Sequence, residues 1–219
     1  MGLKVILTGA TGLVGEGVLF ECLENSQVDQ VLMVNRKHYQ GKPHPKLKEC
    51  LVTDFFHLDN IEDQLKGYDA CFYCAGISSN GVNEEEYTHI TYETTLAFAN
   101  KILELNPEIT FCHISGSHTD SSEKGRFMWA RVKGKTENAL IRMPFKSVYN
   151  FRPGFMKPTK GQQNVKGYYK IMSVLSPILQ YIFPMLHMKQ IGQAMINSVT
   201  KGYNKQVLEI KDIKALAAK

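Results

Sequence analysis

Short runs of branched apolar residues alternate along the chain with longer stretches in which apolar positions recur every three or four residues. Each short run predicts a strand buried on both faces, and each longer stretch predicts an amphipathic helix. Helices are expected after the first strand, at 61–65, at Glu84–Leu105 and at Met128–Met143. Such alternation predicts an α/β fold with a doubly wound parallel sheet. The expected strands are Leu3–Thr8, Val31–Val34, Leu47–Thr53, Ala70–Cys74, Ile109–Ile114 and Val148–Phe151.

The last third of the chain has a different pattern of apolar and polar residues. An apolar segment at 171–188 is interrupted by Pro177 and Pro184, so we expect short helices covering a cleft rather than a membrane span. The same segment also fits plain core, a homodimer or protein-partner contact, or a patch on a membrane surface. A helix at 188–200, a strand at 207–210 and a terminal helix are expected to follow it.

No linker divides the sequence, so we expect one domain over 1–219, in which 155–219 forms a small C-terminal segment that covers a substrate and closes the fold. The 219 residues are 43% hydrophobic and 21% charged, which excludes disordered, collagen-like and porin classes. The net charge of +5 comes from scattered Lys and Arg, which argues against nucleic acid as the main partner.

Five cysteines are an odd number and form no framework of paired spacings, which favours a reducing compartment, and we expect the cytoplasm. The seven histidines show no zinc-binding spacing, so no metal site is predicted. His113 and His118 flank the serines at 115 and 117, and one of them is a candidate for a place in a cleft.

A glycine-rich turn, TGATGLVG, occupies 8–15 directly after the first strand. Gly9 permits a tight exit from the strand, Gly12 lets main-chain N–H groups approach a pyrophosphate, and Gly15 lets the next helix pack on the sheet. The N-terminus of that helix offers oriented donors and a positive dipole to phosphate. Because the motif lies between a buried strand and an amphipathic helix, it predicts a dinucleotide site. The cofactor contacts assigned here are Gly9, Thr11, Gly12, Leu13, Val14 and Gly15.

The end of the second strand indicates which dinucleotide binds. An Asp or Glu there would bond the 2′-hydroxyl of NAD and repel a 2′-phosphate. This chain has Asn35, Arg36 and Lys37 instead. A neutral residue followed by two cations accepts the additional phosphate, and Arg does so through a planar fork. The sequence therefore favours NADP over NAD, although two solvated surface cations would look the same.

These motifs resemble the atypical branch of the short-chain dehydrogenase/reductase superfamily, whose members share an NAD(P)-binding, epimerase/dehydratase-like Rossmann fold. The glycine spacing at 8–15 and the Arg-Pro-Gly at 152–154 are both similar to that branch. Met188–Ala218 is similar to the end of the Tat-interacting-protein type of reductase. The resemblance implies further cofactor contacts at Asp54, Phe55, Cys74, Ala75, Gly76, Pro153 and Gly154.

The chemistry of that superfamily uses a Tyr and a Lys four residues later on one helix, with a Ser near the end of strand five. The resemblance places Lys133 at the lysine and Ser115 at the serine, with Ser117 as the alternative. Trp129 stands at the usual tyrosine position, and an indole N–H cannot act as acid or base. Thr91 stands where many members carry Asn. The other candidate proton donors are Tyr87, Tyr92, Tyr168 and Tyr169.

Two functions of different classes therefore stay open. The first is an oxidoreductase that moves a hydride between NADP and a small carbonyl or alcohol, with Ser115 polarising the oxygen and Lys133 holding the cofactor ribose, which it could do without the tyrosine. The second is a non-catalytic, nucleotide-dependent regulator whose segment at 171–188 meets a protein partner. The missing tyrosine favours the regulator, and a polar, converging cleft near Ser115 would favour the enzyme.

Overall fold

The computed structural model describes residues 2–165 and 185–219. Strands and helices alternate along most of this part of the chain, as the hydrophobic pattern predicts. The strands are β1 (Leu3–Thr8), β2 (Val28–Asn35), β3 (Leu47–Leu51), β4 (Ala70–Tyr73), β5 (Thr110–Ile114), β6 (Ser147–Phe151), β7 (Phe155–Lys157), β8 (Met185–His187) and β9 (Val207–Leu208). The helices are α1 (Leu13–Glu24), α2 (Glu62–Leu65), α3 (Glu84–Thr88), α4 (Thr94–Leu105), α5 (Met128–Arg142), α6 (Met188–Thr200) and α7 (Ile210–Ala217).

The main sheet has the strand order β3-β2-β1-β4-β5-β6-β9, and all of its pairs are parallel. The chain moves from β1 toward one edge and then returns to continue from β4 toward the other. The predicted doubly wound parallel sheet is therefore confirmed. The direction reverses between β1 and β4, and ligands of such sheets bind in the crevice at the carboxyl ends of the strands at that point.

Alternate residues of β1 face two different cores, as a strand buried on both faces requires. Val5 and Leu7 pack with apolar residues of α1, α6 and α7. Ile6 packs on the opposite face with residues of α4 and α5. The helices of the C-terminal part thus complete one layer of the fold.

The helix predicted at Glu84–Leu105 is present, with a π-helical segment at His89–Glu93 between α3 and α4. Asn83 caps its start, since the Asn83 side chain accepts the N–H of Glu86 over 2.9 Å. A π-helical turn widens a helix and re-aims its side chains, and such turns occur often at functional sites. Thr91 lies within this turn.

The predicted helix at 188–200 is confirmed, but the expected strand at 207–210 is shorter and ends at Leu208. It ends there because Glu209 caps α7 in a reciprocal arrangement with Asp212. The strand expected at 47–53 likewise stops at Leu51. Residues 166–184, which hold most of the apolar segment and its expected helices, lie outside the described residues. Within 2–165 and 185–219, no helix is long and apolar enough to cross a membrane.

Candidate functional site

The glycine turn after β1 is built on main-chain contacts that leave no room for side chains at two of its positions. Gly9 has a φ of +71°, and a Cβ there would lie 2.6 Å from the carbonyl oxygen of Cys74. A Cβ at Gly15 would lie 2.1 Å from the carbonyl oxygen of Gly9. The turn is thereby held between the end of β4 and the first turn of α1, as the spacing of the motif predicts.

Gly12 differs from these two glycines. Its backbone is extended, with a φ of −115°, which any residue adopts. A Cβ at Gly12 would come no closer than 3.4 Å to its nearest neighbour, the oxygen of Gly9. The protein itself therefore does not require glycine here. What glycine provides is open space beside the N-terminus of α1, where the first N–H groups of a helix have no partner within the helix.

Two cavities meet at this turn and form one long groove along the carboxyl ends of the strands. The first has a volume of about 890 Å³ and extends toward the end of β2. The second has a volume of about 710 Å³ and extends toward the ends of β5 and β6. The residues that line both cavities are Thr11, Gly12, Cys74, Ala75, Gly76, Gln163 and Asn164. Leu13 and Val14 line the second cavity.

Asn35, Arg36 and Lys37 all line the first cavity, as the sequence predicts. Asn35 is buried, and its side-chain oxygen has no hydrogen-bond partner in the described part of the chain. Glu49 lies behind this wall, where its carboxylate accepts the main-chain N–H of Tyr39 over 2.8 Å. The cavity therefore presents a neutral amide and two cations at the end of β2.

Asp54 and Phe55 differ in the cavities that they line. Phe55 is buried and lines both the first cavity and a side pocket of about 310 Å³ beside it, whereas Asp54 lines the side pocket. Hydrogen bonds from His57 and from the main-chain N–H of Phe56 lower the pKa of the Asp54 carboxyl. The N–H of Phe56 lies 2.7 Å from this carboxylate, so Asp54 also shapes its own loop.

The second cavity contains the predicted serine and lysine. Lys133 donates a hydrogen bond from Nζ to the carbonyl oxygen of Ser115 over 3.1 Å, and burial lowers its pKa to about 8. The Ser115 hydroxyl lies 3.0 Å from that of Thr119, which donates its own hydrogen to the oxygen of Gly116. The Ser115 hydroxyl therefore donates to Thr119, and its lone pairs are available to the cavity. Ser117 lines the same cavity.

The structure separates Trp129 from this group. Trp129 lies one turn before Lys133 on α5, and its ring stacks on exposed Phe127 at a centroid distance of 6.4 Å. Among the residues that the structure describes, Trp129 does not line either cavity. The indole therefore does not take the place in the cleft that the resemblance implies for the catalytic tyrosine.

Tyr87 is the sequence-predicted tyrosine that the fold brings to the second cavity. Its side chain is 1% exposed, and burial raises the pKa of its phenol. Thr91, one turn later, also lines the cavity, as its register with the family's Asn suggested. Tyr92 lies elsewhere, with its ring 4.2 Å from the ammonium of Lys135. Tyr168 and Tyr169 lie outside the described residues.

His113, one of the two histidines that the sequence offers for a place in a cleft, lines the second cavity. Its ring Nδ1 lies 3.0 Å from the side-chain oxygen of Asn150. Burial, together with the charge of Lys133, lowers the pKa of His113 to about 3, so the imidazole is neutral at neutral pH. His118 is exposed. Within 2–165 and 185–219, no cluster of His, Cys, Asp and Glu has the arrangement of a metal site.

The three residues of the Arg-Pro-Gly motif after β6 differ in whether they line the groove. Pro153 lines the second cavity, but Gly154 is not among the described residues that line either cavity. Arg152 points into the protein and pairs with Glu137 of α5. Sequence reasoning also missed Gln163 and Asn164, because nothing in their local pattern distinguishes them from ordinary loop residues.

Comparison with known proteins agrees with this fold. The model of the NAD dependent epimerase/dehydratase family matches residues 5–124. The leucinostatins biosynthesis cluster protein T of Purpureocillium lilacinum is 27% identical over 143 residues, which cover 64% of this chain and 52% of that protein. The chain thus spans about half the length of this relative.

Solved structures show the same fold. The PhqB reductase domain from Penicillium fellutanum has a TM-score of 0.70 at 16% identity, covering 96% of this chain and 67% of that chain. The UDP-glucuronic acid 4-epimerase from Bacillus cereus, solved in complex with NAD, has a TM-score of 0.68 at 15% identity, covering 95% and 76%. Identities this low establish the fold and leave the substrate open.

Proposed function

Because the chain belongs to the NAD-dependent epimerase/dehydratase family, we propose that it binds NADP in the groove and acts as an oxidoreductase on a small carbonyl or alcohol. The main observation that supports a cofactor site is the presence of glycine at position 12. The protein has room for a side chain at this position and adopts a backbone that any residue accepts, yet the residue is glycine. A ligand in contact with the main chain of the turn accounts for this.

The residues of the groove fit the parts of NADP. The turn at 11–14 and the first N–H groups of α1 would hold the pyrophosphate. Arg36 and Lys37 would hold the 2′-phosphate, and among the residues that the structure describes no carboxylate lines the first cavity to repel it. Phe55 and Asp54 would flank the adenine. When bound, the cofactor supplies or accepts the hydride.

The second cavity supplies the polar groups that a carbonyl reaction needs. The Ser115 hydroxyl, after giving up its bond to Thr119, would donate to the substrate oxygen. Lys133 would hold the cofactor ribose and add a positive charge beside the developing alkoxide. Tyr87 would deliver the proton from its phenol oxygen, since the indole N–H of Trp129 cannot act as an acid and Trp129 does not line the cavity.

Cofactor binding is the first test of this proposal. The purified protein is titrated with NADPH and NADH by calorimetry, and saturable binding with the tighter affinity for NADPH is expected. A panel of aldehydes and ketones then tests turnover by the loss of NADPH absorbance. The cofactor assignment fails if calorimetry detects neither nucleotide.

A second candidate function is a nucleotide-dependent regulator without turnover. The stacking of Trp129 on Phe127, away from the cavity, favours this candidate because the family's usual acid is missing from its place. Tight NADPH binding without turnover on any carbonyl of the panel would support the regulator. All five cysteines are free thiols, which supports the proposal of a reducing compartment, the cytoplasm, for either function.

A further inference from the structure

Residues 159–165, which we call the strap, cross the N-terminal turn of α1. The strap begins with a turn in which the N–H of Gln162 donates to the carbonyl oxygen of Thr159 over 3.3 Å. Gly161 occupies the position of this turn that needs a positive φ, here +96°. The turn reverses the chain after β7 and directs the following residues back onto the glycine motif.

Side-chain hydrogen bonds fasten the strap to α1. The amide nitrogen of Gln162 donates to the carbonyl oxygen of Leu13 over 2.7 Å. The carboxylate of Glu16 accepts the main-chain N–H of Gln163 at one oxygen over 2.9 Å and that of Asn164 at the other over 2.8 Å. Glu16 is 1% exposed. A buried carboxylate with both oxygens bonded to adjacent N–H groups fixes the path of those two residues.

The place of Glu16 is electrostatically unfavourable for a site that takes phosphate. It lies in the first turn of α1, immediately after the glycine motif. A negative charge there repels a second anion nearby, and N–H dipoles that point at the carboxylate reduce this repulsion. The two strap N–H groups do so, which ties the fold of the strap to the integrity of the phosphate site.

The strap provides the wall of the groove that faces the glycine turn. Gln163 and Asn164 each line both cavities, as do Thr11 and Gly12 of the turn. They therefore lie at the junction of the two cavities, where a dinucleotide that filled both cavities would have its two halves joined. Their side-chain amides carry N–H donors, which suit phosphate and ribose oxygens.

We propose that Gln163 and Asn164 bind the cofactor at the junction of its two halves, and that Glu16 is the positioning residue that holds them there. This inference rests on the proposed function, because it needs a dinucleotide in the groove. It adds a binding wall formed by residues about 150 positions away from the glycine motif in sequence.

The test compares ligands that do and do not cross the junction. NADPH spans it, whereas adenosine 2′-monophosphate holds only the end near Arg36 and Lys37. In Glu16→Gln one acceptor oxygen becomes an amide that faces an N–H donor, so we expect the Kd for NADPH to rise about 10-fold or more. The Kd for adenosine 2′-monophosphate should stay the same. Glu24→Gln, at an exposed position of the same helix, is the matched control.

A second variant protects the test against a folding defect. Gln163→Ala/Asn164→Ala removes both side-chain amides and keeps the main-chain bonds to Glu16, so it should weaken NADPH binding by about 10-fold with an unchanged melting temperature. If Glu16→Gln does not fold, the NADPH affinity of the double variant tests the inference. Unchanged NADPH affinity in the double variant overturns the inference and leaves the proposed function intact. No binding of NADPH or NADH to the wild-type protein overturns both.

Discussion

The guanidinium of Arg152 and the carboxylate of Glu137 form a two-pronged ion pair inside the protein, with N–O distances of 2.9 and 2.5 Å. Glu137 has no solvent exposure, and Arg152 is 8% exposed. Arg152 also donates to the Ser121 hydroxyl over 2.6 Å and to the Glu209 carboxylate over 3.1 Å. The pair joins the end of β6 to α5 one turn after Lys133, and the charge of Glu137 helps to keep Lys133 protonated.

Arg152→Met should lower the free energy of unfolding by about 3–5 kcal/mol, because it leaves the Glu137 carboxylate buried without its partner. Urea denaturation measures this loss. Arg131→Met is the matched control, since Arg131 pairs with Glu84 at the surface and such pairs contribute about 1 kcal/mol or less. Equal losses in the two variants would contradict a special role for the buried pair.

Alanine substitutions at two glycines of the turn should have different effects, one on cofactor binding and the other on stability. Gly12→Ala meets no close contact within the protein, so its stability should change by about 1 kcal/mol or less. Its NADPH affinity should fall at least about 10-fold, because the new methyl group would occupy space where the cofactor phosphates are proposed to bind. Gly15→Ala should lower the melting temperature, since its Cβ would meet the Gly9 carbonyl. Calorimetric titration and thermal melts of both variants check this; NADPH binding by Gly12→Ala as tight as wild type would contradict it.

Arg36→Ala/Lys37→Ala should weaken NADPH binding about 10- to 100-fold more than NADH binding, because charge-assisted hydrogen bonds to a 2′-phosphate are removed. Parallel calorimetric titrations give the ratio. Lys124→Ala/Arg126→Ala removes a similar pair of exposed cations outside both cavities and serves as the control. Equal weakening of the two nucleotides would remove the NADP assignment.

The partly buried ammonium of Lys133 should make the free energy of unfolding depend on pH. Burial lowers its pKa from 10.5 to about 8, so between these values the unfolded chain holds a proton that the native chain has released. Native stability therefore rises with pH in this window, by at most about 1.4 kcal/mol per pH unit. Lys133→Met lacks this contribution, and Lys135→Met is the control on the same helix. Urea denaturation at about pH 7.5 and pH 9.5 tests whether the wild-type protein gains stability relative to Lys133→Met.

Tyr87→Phe should lower kcat for a carbonyl of the panel by about 100-fold or more, which is the usual contribution of a general acid, and leave the Kd for NADPH unchanged. Tyr92→Phe, outside the second cavity, should leave both quantities unchanged. Steady-state kinetics and calorimetry provide the two readouts. An unchanged kcat in Tyr87→Phe would show that the proton comes from another group.

Much of the fold could be predicted because its signals are local. The apolar run of β1, the glycine spacing after it and the periodicity of 84–105 each specify an element within a few residues. Element ends were less predictable, as the strand at 207–210 shows: the reciprocal cap between Glu209 and Asp212 begins α7 and cuts the strand short. Such a cap competes with strand pairing, and hydrophobic pattern does not reveal which of the two prevails.

By itself, the sequence determined the doubly wound sheet, the place of the glycine turn at 8–15 and the pair of cations at Arg36 and Lys37, because these depend on strand order and on residues adjacent in the chain. Only the tertiary structure decided that Tyr87, rather than Trp129, lines the cavity with Ser115. The side chains that meet in the cavity depend on how α3 and α5 are rotated when they pack on the sheet. Because this packing brings together residues that are far apart in the sequence, no local sequence pattern predicts which side chains meet.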